Sequence, residues 1–450
     1  MDGKQLIAWG MKPGKHFSAA LRAANRAQAE GRDPRAAAFA FMPPPQIPLR
    51  EAHEVPHGEF IDADDEVERA NLEAVRRTVA ELSRTPMITA TSVMPDACPT
   101  GQVGIIPVGG VAASKAIHPG MHSADICCSV AISVVGDADP AGVLDRAQQV
   151  THFGGGGRPR GAQIRPPADV LSAFEGNPFL SGLESAAIEH FATQGDGNHF
   201  LFVGRLRSSG EVALVTHHGS RKPGAMLYKR GMASADKLRR ERSPDTLKGN
   251  AWIEPESGEG EAYWAALQVI REWTKANHFA IHEMVLGGRE PVDRYWNEHN
   301  FVFRRGDTFL HGKGATPAWA DYAQDASGKV LIPLSMGAPI LIAEGLDQPD
   351  ALGFCPHGAG RNVSRSAHLR ATGGAHDDLS GLDIRWFSGV PDPSEMPSAY
   401  KRPDAIEAQI EAFGLARIVD HVDPYGSIMA GDWQVNAPWR QKRKQAQAPS

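Results

Sequence analysis

The sequence predicts a soluble globular protein that combines helices and strands, and three observations support this fold class. The 450 residues are enough for one large domain or for two to three ordinary ones. Hydrophobic residues make up 42% of the chain and charged residues 22%, which is typical of a folded protein rather than a disordered one. The 47 glycines and 33 prolines exceed the usual combined share of roughly 12%, which disfavours a helical bundle or a coiled coil.

The charge and the apolar segments restrict the partners of the chain. Lys and Arg number 47 against 53 Asp and Glu, so the net charge of −6 requires that any polyanion site be a local basic patch. We expect a cytoplasmic protein without membrane contact, because no apolar run reaches the roughly 18 residues that a membrane span needs. Of the four cysteines, Cys127 and Cys128 are adjacent, which favours free thiols or metal thiolates over a disulfide.

The elements follow from local patterns, beginning with a helical and proline-rich N-terminal region. Residues 19–29 and 66–84 have helical composition, and residues 42–45 form a proline-rich connector. Short β-branched runs interrupted by glycine, as in residues 103–111, predict buried strands joined by tight turns. Residues 264–285 carry apolar side chains at helical spacing, whereas the apolar segment 330–343 predicts a buried strand or loop.

Residues able to bind a metal or a phosphate occur beside glycines or at the ends of predicted strands. Asp125 and Cys128 are three residues apart, so a turn could bring both to one metal ion, and the sulfur could bridge two ions. His199 follows a glycine-flanked turn, while His217 ends a predicted strand just before Arg221, which suits a metal beside a phosphate.

Two further segments repeat this association of histidine with amides or glycines. They are residues 299–300 and 357–361, where the glycines allow a close approach of the backbone to a ligand. Each of the five segments taken alone is more often a purely structural feature. Their occurrence together favours a shared metal and phosphate site.

The order and the amino-acid sequences of these segments resemble those of the RtcB-type RNA-splicing ligases. The similarity extends over roughly residues 94–365 and includes nine short motifs, at residues 94–96, 109–113, 125–128, 197–200, 219–221, 299–300, 313–316, 335–337 and 357–361. The resemblance implies an α+β fold in one large domain, with central β-sheets flanked by helices. We expect a helical, proline-rich appendage over residues 1–86, a catalytic domain over 87–390 and a divergent C-terminal segment with a basic tail over 391–450.

The resemblance also implies a reaction and the residues that perform it. Members of this family use GTP and two Mn²⁺ ions to join an RNA 3′-phosphate or 2′,3′-cyclic phosphate end to a 5′-hydroxyl end. His357 matches the nucleophile that accepts GMP, and Arg221 and Arg361 match clamps on RNA phosphates. The implied metal ligands are Asp125, Cys128 as the bridge, His199, His217 and His299. The implied nucleotide pocket comprises Asn198, His199, Phe200, Leu201, Phe202, His299, Asn300, Pro333, Leu334, Ser335, Met336, His357, Gly358, Ala359 and Gly360.

Several positions depart from the family pattern, and they concern the nucleotide pocket and the RNA-facing loops. Cys98 stands where histidine is usual, Phe202 replaces an acidic residue, Lys222 and Leu334 replace glycines, and the usual C-terminal Lys-Gly is missing. The implied metal ligands and nucleophile are complete.

Two other functions therefore stay open. The first is a Mn²⁺-dependent RNA phosphodiesterase or 3′-end-modifying enzyme that does not ligate. The second is a non-catalytic RNA-binding protein on the same scaffold.

Overall fold

A computed structural model of the chain describes residues 1–42, 44–319, 322 and 328–434. The helices of this described part are α1 (Gly3–Ala8), α2 (Phe17–Ala29), α3 (Pro34–Phe39), α4 (Glu66–Leu82), α5 (Pro140–Val150), α6 (Ala168–Gly176), α7 (Glu184–Glu189), α8 (Arg221–Arg242), α9 (Gly258–Leu286), α10 (Arg365–Thr372) and α11 (Pro403–Ala412). The strands are β1 (His57–Glu59), β2 (Ile88–Cys98), β3 (Val108–Ser114), β4 (Ser129–Gly136), β5 (Phe200–Leu206), β6 (Val212–His218), β7 (Asp293–Glu298), β8 (Asn300–Arg305), β9 (Thr308–Lys313), β10 (Ala315–Pro317), β11 (Lys329–Pro333), β12 (Ile340–Gly345), β13 (Phe354–Pro356), β14 (Asp383–Trp386) and β15 (Ala416–Met429).

The described strands form three sheets. The largest has the order β11-β12-β15-β5-β6-β4-β7, with β14 pairing with β15, and a second has the order β1-β2-β3-β9-β8. Strands β10 and β13 form the third sheet. The pairs β1–β2 and β14–β15 are parallel, and the remaining neighbours are antiparallel. With helices packed against these sheets, the expected α+β class is confirmed.

The central helix α9 covers one face of the largest sheet. It begins where Ser257 accepts a hydrogen bond from the Gly260 amide and ends at Gly287, whose φ of 60° a glycine adopts without strain. Its apolar stripe is fully buried at Leu267, Ile270, Trp273 and Ile281. Full burial of one such side chain contributes about 1.5–3 kcal/mol. The helix predicted over residues 264–285 is thus confirmed and is longer at its N-terminal end.

The alternation of side chains along β5 and β6 separates the two faces of this sheet. Leu201 packs in the main core with α9, whereas Phe202 packs in a second apolar cluster on the opposite face. On β6, Thr216 faces α9 and His217 faces the other side. The face opposite α9 therefore carries the predicted site.

The N-terminal appendage and the C-terminal segment expected from the sequence both contain elements that pack or pair with other elements. Helices α1 to α3 pack on one another, while β1 pairs with β2 and α4 packs against β2. Strand β15 lies between β12 and β5, so it is an interior strand of the largest sheet. The domain boundaries given above stay a proposal, and the basic tail and Pro43 of the connector lie outside the described residues.

The cysteines and the helices bear on the expectations about disulfides and membrane spans. None of the four cysteines, all of which lie in the described residues, forms a disulfide, which agrees with the expectation of free thiols or metal thiolates. None of the described helices combines the length and the apolar character needed to cross a lipid bilayer.

A buried hydrogen-bond network joins the largest sheet to α9. The Thr216 hydroxyl bonds His278 Nδ1 at 2.7 Å and His282 Nε2 at 2.8 Å, and Ser129 and Ser133 bond the other ring nitrogens of these histidines. Burial lowers the pKa of His282 to about 3 and that of His278 well below its usual value. Both rings are therefore neutral at pH 7.

We predict that Thr216→Val lowers the free energy of unfolding by about 2–4 kcal/mol, because two buried imidazoles lose a hydrogen-bond partner while the side-chain volume is kept. Chemical denaturation measures the change. Ser172→Ala is the control, because this exposed serine should change the free energy by less than about 0.5 kcal/mol. An equally small effect of Thr216→Val would contradict the structural importance of the network.

Candidate active site

Three strand ends bring the predicted metal ligands to one edge of the largest sheet. Cys128 directly precedes β4, His217 lies near the end of β6, and His299 follows β7. The His299 amide donates to the Cys128 carbonyl at 2.9 Å, which fixes these two residues side by side. Phe200 pairs with His217 across β5 and β6, so the preceding His199 also reaches this edge.

The ligand atoms form two groups that share one sulfur. Cys128, His217 and His299 make the first group, and Asp125, Cys128 and His199 make the second. Cys128 Sγ lies 3.2 Å from His217 Nε2 and 3.6 Å from His199 Nε2, while His217 Nε2 lies 3.3 Å from His299 Nε2. The structure therefore brings together all five predicted metal ligands, with Cys128 between the two groups.

The chemistry of this donor set fits divalent metal ions. His217 Nδ1 donates to the Asn198 carbonyl at 3.1 Å, which leaves the lone pair of Nε2 directed at the cluster. Burial, together with the neighbouring imidazoles, lowers the pKa of His217 to about 3 and that of His299 well below its usual value. Neutral imidazoles, a carboxylate and a thiol that converge in a buried space are the ligands that a metal ion uses.

His357, the predicted nucleophile, is oriented by a buried carboxylate. His357 Nδ1 lies 2.5 Å from Asp96 Oδ2, and the His357 amide donates to the same oxygen at 3.2 Å. Asp96 is fully buried, and both of these contacts from His357 go to its Oδ2 atom. Because Nδ1 donates to Asp96, the lone pair of the imidazole is on Nε2. The His357 ring centroid lies 4.8 Å from that of His299, beside the metal ligands.

Two glycines make room for this arrangement. A Cβ on Gly314 would lie 2.9 Å from His357 Cε1, and a Cβ on Gly360 would lie 2.1 Å from the Asp96 carbonyl oxygen. Both residues have positive φ angles, which glycine adopts without strain. Their positions in the motifs 313–316 and 357–361 thus have a steric reason.

A cavity of about 740 Å³ lies against His357 and the metal ligands. Its lining includes the following residues of the predicted nucleotide pocket: Asn198, Phe200, Phe202, His299, Asn300, Pro333, Leu334, Ser335, Met336, His357, Gly358, Ala359 and Gly360. We call it the first cavity. Leu201 is not brought to it, because its side chain points to the α9 face of the sheet, and His199 lines a neighbouring cavity instead.

The two predicted phosphate clamps lie in different surroundings. Arg361 lines the first cavity, but its guanidinium donates to the Ser394 carbonyl at 2.7 Å and pairs with buried Glu395 at 2.8 Å. The Arg361 Cζ atom also lies over the Tyr400 ring, 4.4 Å from the ring centroid. Arg221 lines the neighbouring cavity on the His199 side of the cluster. The structure thus separates the two arginines.

Sequence reasoning missed several residues that shape the site. Asp96 and Lys313 lie within recognised motifs, so their position could have indicated a role. Lys401 had no local signal, yet its ammonium group is buried and donates to the carbonyls of Pro95 and Ala97 on either side of Asp96. Burial lowers the pKa of Lys313 and that of Lys401 to about 8.

Comparisons with known proteins agree with this geometry. The family model described as tRNA-splicing ligase RtcB matches residues 175–430, more than half of the chain. The chain belongs to the RtcB family. The resemblance drawn from the sequence motifs is thereby confirmed.

The relatives are distant and are covered to different extents. The tRNA-splicing ligase RtcB of Pyrococcus horikoshii is 27% identical in an alignment 314 residues long that covers 57% of this chain and 36% of that protein. The RNA-splicing ligase RtcB of Mycobacterium tuberculosis is 26% identical in an alignment 405 residues long that covers 72% of this chain and 93% of that protein. The RNA-splicing ligase RtcB of Escherichia coli is 28% identical in an alignment 288 residues long that covers 56% of this chain and 66% of that protein. The match therefore spans only about a third of the archaeal relative.

We predict that Cys128→Ala removes most divalent-ion binding from this RtcB family member, because Cys128 Sγ belongs to both ligand groups. After manganese loading and desalting, elemental analysis should find about two ions per chain in the wild type and fewer than one in the variant. Cys98→Ala is the matched control, since this thiol lines the same cavity outside both groups. Equal metal content in the wild type and Cys128→Ala would refute the assignment, whereas bound zinc would not.

Proposed function

We propose that the protein is an RNA ligase that uses GTP and Mn²⁺ to join RNA 3′-phosphate or 2′,3′-cyclic phosphate ends to 5′-hydroxyl ends. The observation that carries this proposal is the position of His357. Its Nδ1 atom lies 2.5 Å from Asp96 Oδ2. His357 lines the same cavity as the buried thiol and imidazoles of the cluster. Membership of the RtcB family supports the same activity.

The first step is nucleophilic attack by His357 on GTP. The lone pair on Nε2 forms a P–N bond to the α-phosphorus, and the bond from that phosphorus to the bridging oxygen breaks, releasing pyrophosphate. The Asp96 carboxylate accepts the Nδ1 proton in a hydrogen bond and stabilises the positive charge that develops on the ring. Gly358 and Gly360 line the first cavity together with His357.

The metal ions are assigned to the two ligand groups that share Cys128. The assignment to Mn²⁺ comes from the family resemblance, and imidazoles with a carboxylate are ligands this ion accepts. When bound, the ions would neutralise charge on phosphate oxygens. The protein residues of the cluster hold their lone pairs in place through contacts such as the bond from His217 to Asn198.

The remaining steps move GMP from the protein to the RNA. A cyclic phosphate is first opened by water to a 3′-phosphate. An oxygen of that phosphate attacks the phosphorus of GMP-histidine, which breaks the P–N bond and restores His357. The 5′-hydroxyl oxygen then attacks the 3′-phosphorus, a new phosphodiester bond forms, and GMP leaves.

We predict that incubation with manganese and α-labelled GTP labels the wild type on His357 and does not label His357→Ala. Asp96→Asn should slow labelling on the order of a hundredfold, because a neutral amide stabilises the developing imidazolium less than a carboxylate does. Asp423→Asn serves as the control, since this carboxylate pairs with Arg207 on the surface. Labelled protein bands measured over time, followed by peptide mass mapping, give both results.

The same incubation, repeated with RNA added, distinguishes the ligase from the two other functions. An adduct on another residue, or one that persists in His357→Ala, contradicts the role of His357. RNA cleavage without protein labelling would identify a phosphodiesterase, and RNA binding with neither would identify a non-catalytic protein.

The base recognition in the first cavity is expected to be weaker than in relatives that have an acidic residue at position 202. Phe202 is 2% exposed and lines the cavity, where its ring offers apolar contact but no acceptor for the guanine N–H groups. Losing one hydrogen bond to a charged group costs about 1.5–3 kcal/mol. We predict that the preference for GTP over ATP in self-nucleotidylation falls by roughly one to two powers of ten. Parallel labelling of this protein and of a relative with the acidic residue tests it, and equal preferences would contradict the role of Phe202.

A further inference from the structure

Asp96 lies in a stretch of β2 where the pairing with the neighbouring strand is irregular. Strand β2 pairs with β3 at Val93 and again at Cys98, and the register shifts between these two pairs. Residues 94–97 therefore depart from the regular ladder, so the carbonyls of this stretch need donors from elsewhere in the protein. The groups that supply these donors also set the position of the Asp96 carboxylate.

Lys401 supplies such donors on both sides of Asp96. Its ammonium group donates to the Pro95 carbonyl at 2.7 Å and to the Ala97 carbonyl at 3.0 Å. Asn71 of α4 donates to the same Ala97 carbonyl at 2.8 Å. Lys401 is only 7% exposed, and burial of an ammonium group costs free energy unless hydrogen bonds and an opposite charge compensate for the lost hydration. The two carbonyls provide the hydrogen bonds.

The Asp96 carboxylate provides an opposite charge. Asp96 Oδ2 takes both contacts from His357, while Oδ1 is buried and has no hydrogen-bond partner among the described residues. A buried carboxylate in this state is stabilised by a nearby positive charge. Burial lowers the pKa of Lys401 to about 8, although the attraction of Asp96 opposes this shift, so the ammonium group stays mostly charged at pH 7.

Lys401 also contacts the loop that carries His357. Its backbone amide donates to the Gly360 carbonyl at 3.0 Å. In the same loop the His357 amide donates to Asp96 Oδ2 at 3.2 Å. One residue therefore joins the stretch that carries the carboxylate to the loop that carries the imidazole. Lys401 is not among the described residues that line the first cavity.

We propose that Lys401 is a positioning residue for His357, because its ammonium group fixes the backbone on both sides of Asp96 and balances the charge of the carboxylate. Asp96 is thereby kept at Nδ1 of His357, and the imidazole is held in the tautomer whose lone pair is on Nε2. The effect on the rate of guanylylation rests on the proposed ligase function. The effect on the hydrogen bond between Asp96 and His357 does not.

The first test is self-guanylylation of Lys401→Met, which keeps the length of the side chain but removes its charge and its donors. At saturating GTP with manganese, the rate should fall by about 5- to 50-fold, because Asp96 no longer fixes the imidazole. The GTP concentration at half-maximal rate should stay within about threefold of the wild type, since Lys401 does not line the first cavity. A wild-type maximal rate would overturn the proposal, as would a loss confined to the half-maximal GTP concentration.

Arg402→Met is the matched control for this test. It removes one positive charge at the adjacent position, where the guanidinium pairs with Asp64 and both side chains are mostly exposed. Its maximal rate should therefore equal that of the wild type.

A double-mutant cycle separates positioning through Asp96 from a general structural role. In an Asp96→Asn background, Lys401→Met should change the maximal rate by less than about twofold, because the carboxylate through which it acts is already gone. A structural defect would lower the rate by the same factor in both backgrounds, and that result would overturn the proposal. If chemical denaturation shows that Lys401→Met is not folded, Lys401→Gln takes its place under the same criterion.

A spectroscopic readout without GTP tests the hydrogen bond itself. In zinc-loaded protein with ¹⁵N-labelled histidine, the proton on His357 Nδ1 should give a low-field resonance that is absent in His357→Ala. Zinc is used because Mn²⁺ is paramagnetic and broadens nearby resonances. Lys401→Met should move this resonance upfield or abolish it, whereas Arg402→Met should leave it unchanged. An unchanged resonance in Lys401→Met, or no such resonance in the wild type, would overturn the proposal.

The two proposals fail in different ways. A resonance that depends on Lys401 in a wild type that forms no guanylate adduct would refute the ligase function and leave the positioning role. An adduct on His357, with a maximal rate and a resonance that do not depend on Lys401, would refute this inference alone.

Discussion

The structure depends on the convergence of five side chains that could bind a metal ion at one edge of a buried sheet. Such a cluster costs free energy unless its lone pairs are satisfied, because buried polar atoms without partners lose their hydration. The protein meets this cost in part with backbone contacts, such as the bond from His217 to the Asn198 carbonyl and the one from the His299 amide to the Cys128 carbonyl. The remaining lone pairs face one another, which is the arrangement that a divalent cation stabilises.

His357, the proposed nucleophile, is positioned by a separate part of the fold. Asp96 comes from β2 in the five-stranded sheet, whereas Cys128 and His217 flank or end strands of the largest sheet. The reacting groups therefore meet only when the two sheets are packed together. Gly314 and Gly360 permit this close packing around His357, since a side chain at either position would meet the ring or the Asp96 backbone.

The candidate site combines a buried cluster of possible metal ligands with a partly apolar cavity. Phe202 and Leu334 add apolar surface to the first cavity. Arg361 is engaged by Glu395 and stacked on Tyr400, so its charge is partly neutralised inside the protein. Arg365 lines both the first cavity and the one beside His199, and it pairs with the same Glu395, whereas Arg221 lines the cavity beside His199.

The sequence by itself determined the α+β class, the helix α9 and the family, because periodicity and short motifs are local properties that survive low overall identity. It also indicated the candidate metal ligands and His357, since each lies in a motif of a few residues, and the structure brings these side chains together. Only the tertiary structure decided that Asp96 holds His357 and that Leu201 faces away from the cavity. These facts depend on strand register and on contacts between residues such as Asp96 and His357 that are far apart in the chain, and no local pattern encodes them.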